Sequence, residues 1–432
     1  MGKHYGQPVK NRLLSLDVLR GLTIMLMTIV NNPGDWGNVY PPFLHAEWHG
    51  FTPTDLVFPT FLFIVGITTV LATPRKVLDR AAGEKILTRF LRIFSLGLFL
   101  NFFSKIQIFG LDDVALLAVK LLITALVVAA LFGKYDRRRE LYVALGVFSL
   151  MFVLAFGGFE DYQNVRLPGV LQRIAVVYLV VSLLYLTTSV STQALIGIGI
   201  LLAYWAIMTL IPVPGVGEAN VEKGTNLAAW LDYLVLPNHL WVTSKTWDPE
   251  GLLSTLPAVG TGIAGLLTGA LLTANLSEQK KFGYLLAGGV AGVLLGLLWN
   301  TAFPINKALW TSSYVLYAAG IALLLLAVLY FVIDYKGSKG WITPFIVFGV
   351  NPMVVFFFSG IIPRVLGSIK VNNPSTQITD DRIGLQTYIY KFQIAPYFSD
   401  PKAASLAGAL VYLAIWFLIL YIFYRRKMIF KV

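Results

Sequence analysis

Residues 13–72 read LLSLDVLRGLTIMLMTIVNNPGDWGNVYPPFLHAEWHGFTPTDLVFPTFLFIVGITTVLA. Two apolar runs, Leu13–Val30 and Asp55–Ala72, are each long enough to cross a bilayer. The stretch between them, Asn31 to Pro59, has no Lys or Arg but holds two of the 4 histidines, His45 and His49, together with Asp35, Glu47 and Asp55. One reading is a solvated loop capped by interfacial Trp and Tyr. The other is a polar site held at a membrane surface.

The rest of the chain extends this pattern. Of 432 residues, 57% are hydrophobic and 13% charged, with a mean hydropathy of +0.72. A soluble chain carries about 25% charged residues, so this composition belongs to a membrane protein. Further apolar runs lie at Ile86–Phe103, Val114–Phe132, Leu141–Gly158, Gly169–Leu186, Gln193–Ile211, Leu252–Ala274, Phe282–Trp299, Ser313–Ile333, Pro344–Leu366 and Ala403–Tyr424. The expected fold is all-α: a polytopic membrane helical bundle of about twelve transmembrane helices. The first helix is expected to be retained rather than cleaved, because no small-residue cleavage site follows it.

Charge gives the orientation. Lys3, Lys10 and Arg12 precede the first span, and Arg75, Lys76, Arg80 and Lys85 follow the second. Lys134 and Arg137–Arg139 follow the fourth, Lys280 and Lys281 the eighth, and Lys336 and Lys339 the tenth. Arg425, Arg426, Lys427 and Lys431 close the chain, and only the short turn near Ser189 lacks a basic residue. This alternation predicts both termini in the cytoplasm and the His45 loop on the outer face. It also accounts for the net charge of +12, and no compact basic domain offers a nucleic-acid surface. The expected partners are the lipid bilayer and a small-molecule substrate, with no nucleic acid and with a homo-oligomer left open. The absence of cysteine excludes disulfides, thiolate ligands and a cysteine nucleophile.

Several polar residues stand where a membrane makes them costly. Asp17 and Arg20 share a helix face in the first span, as an ion pair or as the wall of a polar cavity. Lys85, Arg89 and Arg92 form a stripe that either snorkels to the surface or docks phosphate. Arg166, Gln172 and Arg173 flank Pro168-Gly169, where a basic residue defies the cytoplasmic bias. Lys120 lies within the fourth span. Asp248 and Glu250 open the eighth, either favouring a helix dipole or binding an amine or sugar hydroxyls. Gly349-Val350-Asn351-Pro352 interrupts the eleventh, which makes Asn351 a cavity residue or the site of a kink. The GxGxxG at Gly260–Gly265 lies inside an apolar span with no strand before it, so close helix packing is expected there and not dinucleotide binding.

His45 is the leading chemical candidate, as a general base or as an acyl-accepting nucleophile. Asp55 is placed to orient it, and Asn31 to hydrogen-bond a developing oxyanion. A metal site on His45 and His49 would need helical spacing, which Pro41-Pro42, Gly50 and Pro53 oppose, so no metal is expected.

The chain resembles the heparan-α-glucosaminide N-acetyltransferase family. The resemblance rests on SLDVLRGLTIMLMTIVNN from Ser15, HAEWHGFTPTDLVFPTFLFIVG from His45, VRLPGVLQR from Val165, WDPEGLL from Trp247, PINKALWTSSYV from Pro304 and GVNPM from Gly349. It implies a multi-helix membrane enzyme, a single transmembrane acyltransferase domain over residues 1–432, that moves acetyl from cytoplasmic acetyl-CoA to the amine of glucosamine or a related amino sugar. The family's active-site histidine falls on His45, with Asn31 and Asp55 beside it. Arg20, Arg92, Gln172, Arg173 and Asn351 are the expected acetyl-CoA contacts, and Trp48, Asp248 and Glu250 the expected acceptor contacts. The spans within 113–158 read as an inserted helix pair, and the luminal domain of the lysosomal members has no counterpart, which points to a small amino sugar or cell-wall sugar. The expected location is a bacterial cytoplasmic membrane. The rival reading is a transporter of amino sugars or their fragments.

Overall fold

The computed structural model describes residues 13–73, 76–108, 110–375 and 381–430. Lys3, Lys10, Arg12, Arg75 and Lys431 of the charge pattern lie outside the described residues. The helices in chain order are α1 Leu14–Asn31, α2 Val57–Ala72, α3 Arg80–Phe103, α4 Asp113–Phe132, α5 Arg137–Phe156, α6 Val170–Thr187, α7 Val190–Leu210 and α8 Leu227–Val235. They continue as α9 Thr255–Thr273, α10 Glu278–Asn300, α11 Ser312–Leu329, α12 Thr343–Val350, α13 Pro352–Ser368, α14 Leu385–Tyr388 and α15 Pro401–Arg425. A single two-stranded hairpin, Lys370–Asn372 with Arg382–Gly384, is the only sheet among the described residues.

Eleven of these helices are long and apolar enough to cross a membrane. The pair α12–α13, bent by 77° at Asn351, brings the count of candidate spans to twelve when taken as one broken span. The chain is therefore an all-helical polytopic membrane bundle, as its sequence predicts. The bend falls at the expected break, because Pro352 has no N–H to continue the helix. Short polar residues start the helices: Asp79, Asp112, Asp136, Ser189, Asn226, Ser277 and Asp400 each accept a backbone N–H in the first turn.

Successive connections alternate between the two ends of the bundle. At one end Trp48 donates to Val221 O, Leu167 N to His239 O, Gly50 N to Ile305 O and Tyr40 Oη to Asp400. At the other, Lys76 donates to Thr188 O, Glu84 pairs with Arg137, and Gln279 donates to Tyr335. The basic connections gather at this second end.

Helices α2, α6, α9 and α11 form the centre. A Cβ on Gly66 would run into the carbonyl of Gly262, and one on Gly265 into that of Phe63, so α2 and α9 cross backbone to backbone. The GxGxxG is thus a packing seam. Helices α4 and α5 lie outside this centre with few buried residues, and α5 rests on α3 through Phe90, Phe94, Phe148 and Phe152. Arg92 fastens the turn between them, donating to Gly133 O at 2.9 Å with Glu140 at 3.5 Å.

Candidate functional site

The chain between α1 and α2 folds into two short 3-10 turns, Pro41–Phe43 and Pro53–Leu56, with His45 between them. Proline at the start of each turn fixes φ without sacrificing a needed donor. Thr52 and Asp55 close a reciprocal capping box at the second turn. Asp55 is 1% exposed, and its Oδ2 accepts the N–H of Ala46 at 3.2 Å and of Thr52 at 3.0 Å. Its other oxygen lies 2.6 Å from Nδ1 of His45. A carboxylate so placed accepts, so the imidazole proton sits on Nδ1 and the Nε2 lone pair is left outward. The His45 side chain is 52% exposed, so Nε2 is reachable.

Beneath this pair runs a buried column of which the sequence singled out only Gln172 and Arg173. Tyr314 donates to the carbonyl of Asp55 at 2.6 Å and stands edge-on to Trp310. Trp310 is fully buried, donates to Thr261, and has φ of 54°, a left-handed conformation that bulky residues rarely adopt. The guanidinium of Arg173 lies 5.1 Å from its ring. Arg173 is 2% exposed and donates to Gly251 O and Ser254 Oγ, while its Nε and Nη1 have no hydrogen-bond partner among the described residues. Gln172, the preceding residue, likewise has a buried Nε2 with no partner among the described residues. The sequence signal for this column is the stretch PINKALWTSSYV, whose residues 304–315 supply Asn306, Trp310 and Tyr314.

Asp248 and Glu250 are buried against Arg166, whose Nε meets Asp248 at 2.8 Å and whose Nη2 meets Asp248 and Glu250 at 2.5 Å each. Burial opposes charge on Arg166, but the two carboxylates outweigh it and raise the guanidinium pKa. Burial likewise pushes Glu250 up, yet Arg166, Lys307 and Arg173 hold it below the usual carboxylate range. The two acids do not cap α9, which begins later, at Thr255. Asp232 of α8 accepts the N–H of Asp248 and of Leu252, and burial lifts its pKa to about 6.

An aromatic wall stands beside His45. Trp48 donates to Val221 O and meets Trp247 edge-on at 5.3 Å, and Trp241 meets Trp247 at 5.9 Å. His49 faces the side-chain amide of Asn306 at 3.3 Å. Asn31 ends α1 with an exposed side chain, and no hydrogen bond joins it to His45 or Asp55 among the described residues. Arg20 pairs with Asp17 at 3.1 Å and donates to Gly349 O, close to the break at Asn351. Asn351 is engaged by the end of the chain, donating to Met428 O and accepting from Phe430 N. The five residues expected to meet acetyl-CoA therefore stand in three places: Gln172 and Arg173 under the His45 loop, Arg92 at the α4–α5 turn, and Arg20 with Asn351 at the break. No cluster of three or more His, Asp or Glu arranged for a metal ion occurs among the described residues.

Residues 12–160 match the family model described as heparan-alpha-glucosaminide N-acetyltransferase, catalytic. Two curated relatives, the heparan-alpha-glucosaminide N-acetyltransferases of Mus musculus and Homo sapiens, are 26% and 27% identical to this chain. Each alignment of 473 positions covers 98% of this chain and 61% or 60% of the relative, so the chain spans about three fifths of their length. The likeness carried by the motifs thus recurs along nearly the whole chain.

Proposed function

We propose that this chain is a transmembrane N-acetyltransferase that moves acetyl from acetyl-CoA to the amine of glucosamine or a related amino sugar. The observation that carries the reading is the 2.6 Å contact between His45 Nδ1 and the buried carboxylate of Asp55, which leaves Nε2 open at the surface. The names of the relatives and the match over residues 12–160 support it.

Two routes use the same atoms. In direct transfer, the acceptor amine attacks the thioester carbon, Nε2 takes the amine proton, and the CoA thiolate leaves. In the two-step route, Nε2 attacks the thioester carbon and expels the thiolate, and the amine then displaces the imidazole. In both, Asp55 holds the Nδ1 proton and stabilises the positive imidazole. Asn31, exposed at the end of α1, is proposed to donate to the oxyanion. The ring of Trp48 offers a face for the sugar, while Asp248 and Glu250 act through Arg166 by fixing the 247–251 turn behind it. Gln172, Arg173 and Arg92 keep buried donors without a partner among the described residues and are the foremost contacts for the acyl donor, ahead of Arg20 and Asn351.

Basic residues at the end opposite His45 support a cytoplasmic position for that end, from which acetyl would enter while the acceptor would meet His45 on the far side. The broken pair α12–α13 and the span count also suit the rival reading, a transporter of amino sugars or their fragments. A single assay separates them. Purified chain in detergent should acetylate glucosamine from acetyl-CoA with no sealed compartment, and His45→Ala should lose about 100- to 10,000-fold in rate. His49→Ala should retain the chemistry. A folded His45→Ala protein working at the parental rate would overturn the proposal, and uptake confined to sealed vesicles would favour the transporter.

A further inference from the structure

Lys120 lies about two turns inside α4, flanked by Leu121 and Leu122, which are 44% and 59% exposed on the outside of the bundle. A cation at that depth is costly unless a counter-charge meets it. Among the described residues no carboxylate lies within ion-pairing distance, and the nearest aromatic face, Phe103, is 6.0 Å from the ammonium. Lys120 lines a half-open cleft of about 210 Å³ between α4 and the end of α13, together with Leu116, Leu117, Asp113, Ser368 and Lys370. Two lysines and one acidic residue therefore line the cleft, and Asp113 sits in the exposed first turn of α4. The Ser368 hydroxyl already donates to Arg364 O, which leaves recognition to the two lysines.

We propose that this cleft binds the phosphate of an anionic phospholipid headgroup, with Lys120 and Lys370 as its cationic contacts. The setting supports a lipid as the source: α4 stands on the outside of the bundle with only Thr124 and Leu131 of its residues buried, so the cleft borders the surrounding acyl chains. The cleft stands at the His45 end of the bundle. Asn101, near the end of α3, donates to Arg166 O, and Arg166 reaches Asp248 next to the Trp247 wall. The bound lipid would therefore occupy the leaflet on the His45 side and tie the outlying α4–α5 pair to α13. The proposal is independent of the acetyl-transfer reading.

The test is native mass spectrometry of the full chain in detergent. Phosphatidylglycerol, phosphatidylcholine and inorganic phosphate would each be titrated into the parent, Lys120→Gln and Lys370→Gln. The expected result is retention of phosphatidylglycerol by the parent, with about tenfold weaker binding in each variant for one lost charge-assisted contact. Phosphatidylcholine should bind more weakly, and inorganic phosphate should not displace the lipid. Lys370 is exposed on the hairpin, so its variant tests the cleft even if Lys120→Gln fails to fold. Parental phosphatidylglycerol binding in every folded variant, or equal binding of both lipids, would overturn the proposal. Displacement by inorganic phosphate would overturn the lipid as occupant.

Discussion

Asp55→Asn probes the His45 pair more sharply than deletion of either group. Asn has one carbonyl oxygen where Asp has two acceptors. The N–H groups of Ala46 and Thr52 converge on Oδ2, so the Asn oxygen should settle there. The opposite orientation would set donors against donors, at about 1–3 kcal/mol for each unmet group. The amide NH2 then faces His45 Nδ1 across the present 2.6 Å contact and donates to it. The imidazole proton moves to Nε2, and the lone pair that would take the amine proton is lost. A merely orienting Asp55 would give a mild defect. The geometry instead gives the loss of general-base action, about 100- to 10,000-fold, or about 3–5 kcal/mol on the barrier. Asp55→Ala leaves both tautomers open and should fall less than Asp55→Asn. The assay is acetyl transfer from acetyl-CoA to glucosamine by detergent-purified protein, beside a thermal melt that shows each variant is folded. A folded Asp55→Asn protein within about threefold of the parent, a barrier change well under 1 kcal/mol, would refute the tautomer argument.

Arg166→Gln should destabilise the fold by about 3–5 kcal/mol, because it leaves two buried carboxylates with Lys307, 4.0 Å from Glu250, and the longer-range charge of Arg173. Thermal unfolding in detergent reads this, and a melting temperature equal to the parent's would count against the network. Glu250 has a folded pKa below its ordinary 4.5, so its contribution to stability is present above that value and disappears as pH falls through the folded pKa. Glu250→Gln should therefore flatten the acid limb of the stability profile below pH 4.5, and an unchanged limb would remove Glu250 from it. Gly265→Ala should cost about 1–3 kcal/mol by forcing α2 from α9, whereas Gly283→Ala, with open space at its Cβ, should be near neutral by the same melt. Trp36→Cys, at a position 65% exposed in a chain with no other cysteine, should react with a membrane-impermeant maleimide from outside intact cells. Labelling only after permeabilisation would reverse the orientation.

The span count and the break at Asn351 were legible because both follow from local composition: length of apolar run in one case, a proline in the other. The His45–Asp55 pair was legible as polar density, its members being only 10 residues apart. Partners distant in sequence were not. Asp248 and Glu250 read equally well as helix caps or sugar ligands, and nothing local points to Arg166, 82 and 84 residues away. Asn351 read as a cavity residue, yet its amide meets backbone groups 77 and 79 residues on. Trp310 and Tyr314 stayed hidden for another reason. At the edge of a hydrophobic span an aromatic residue looks like lipid-facing filler, and only the fold turns these two inward beneath Asp55.

The first helix is finished last. The N–H groups that open α1, at Leu14 and Ser15, are met by Asp334 in the helical turn Tyr330–Tyr335 that follows α11. Gly21 lies flush on the carbonyl of Phe345, and Gly34 and Asp35 donate their N–H groups to Ser405, 370 residues later for Asp35. At about 5–20 residues per second, a ribosome needs roughly 20–70 s to make the chain between those points. Throughout that interval the nascent protein carries α1 and the histidine loop in the membrane without their closing partners. Chains that stop before α15 would insert and yet leave this loop open, so quality control that surveys unpaired polar groups in the bilayer would have its target at the beginning of the chain rather than at the truncated end.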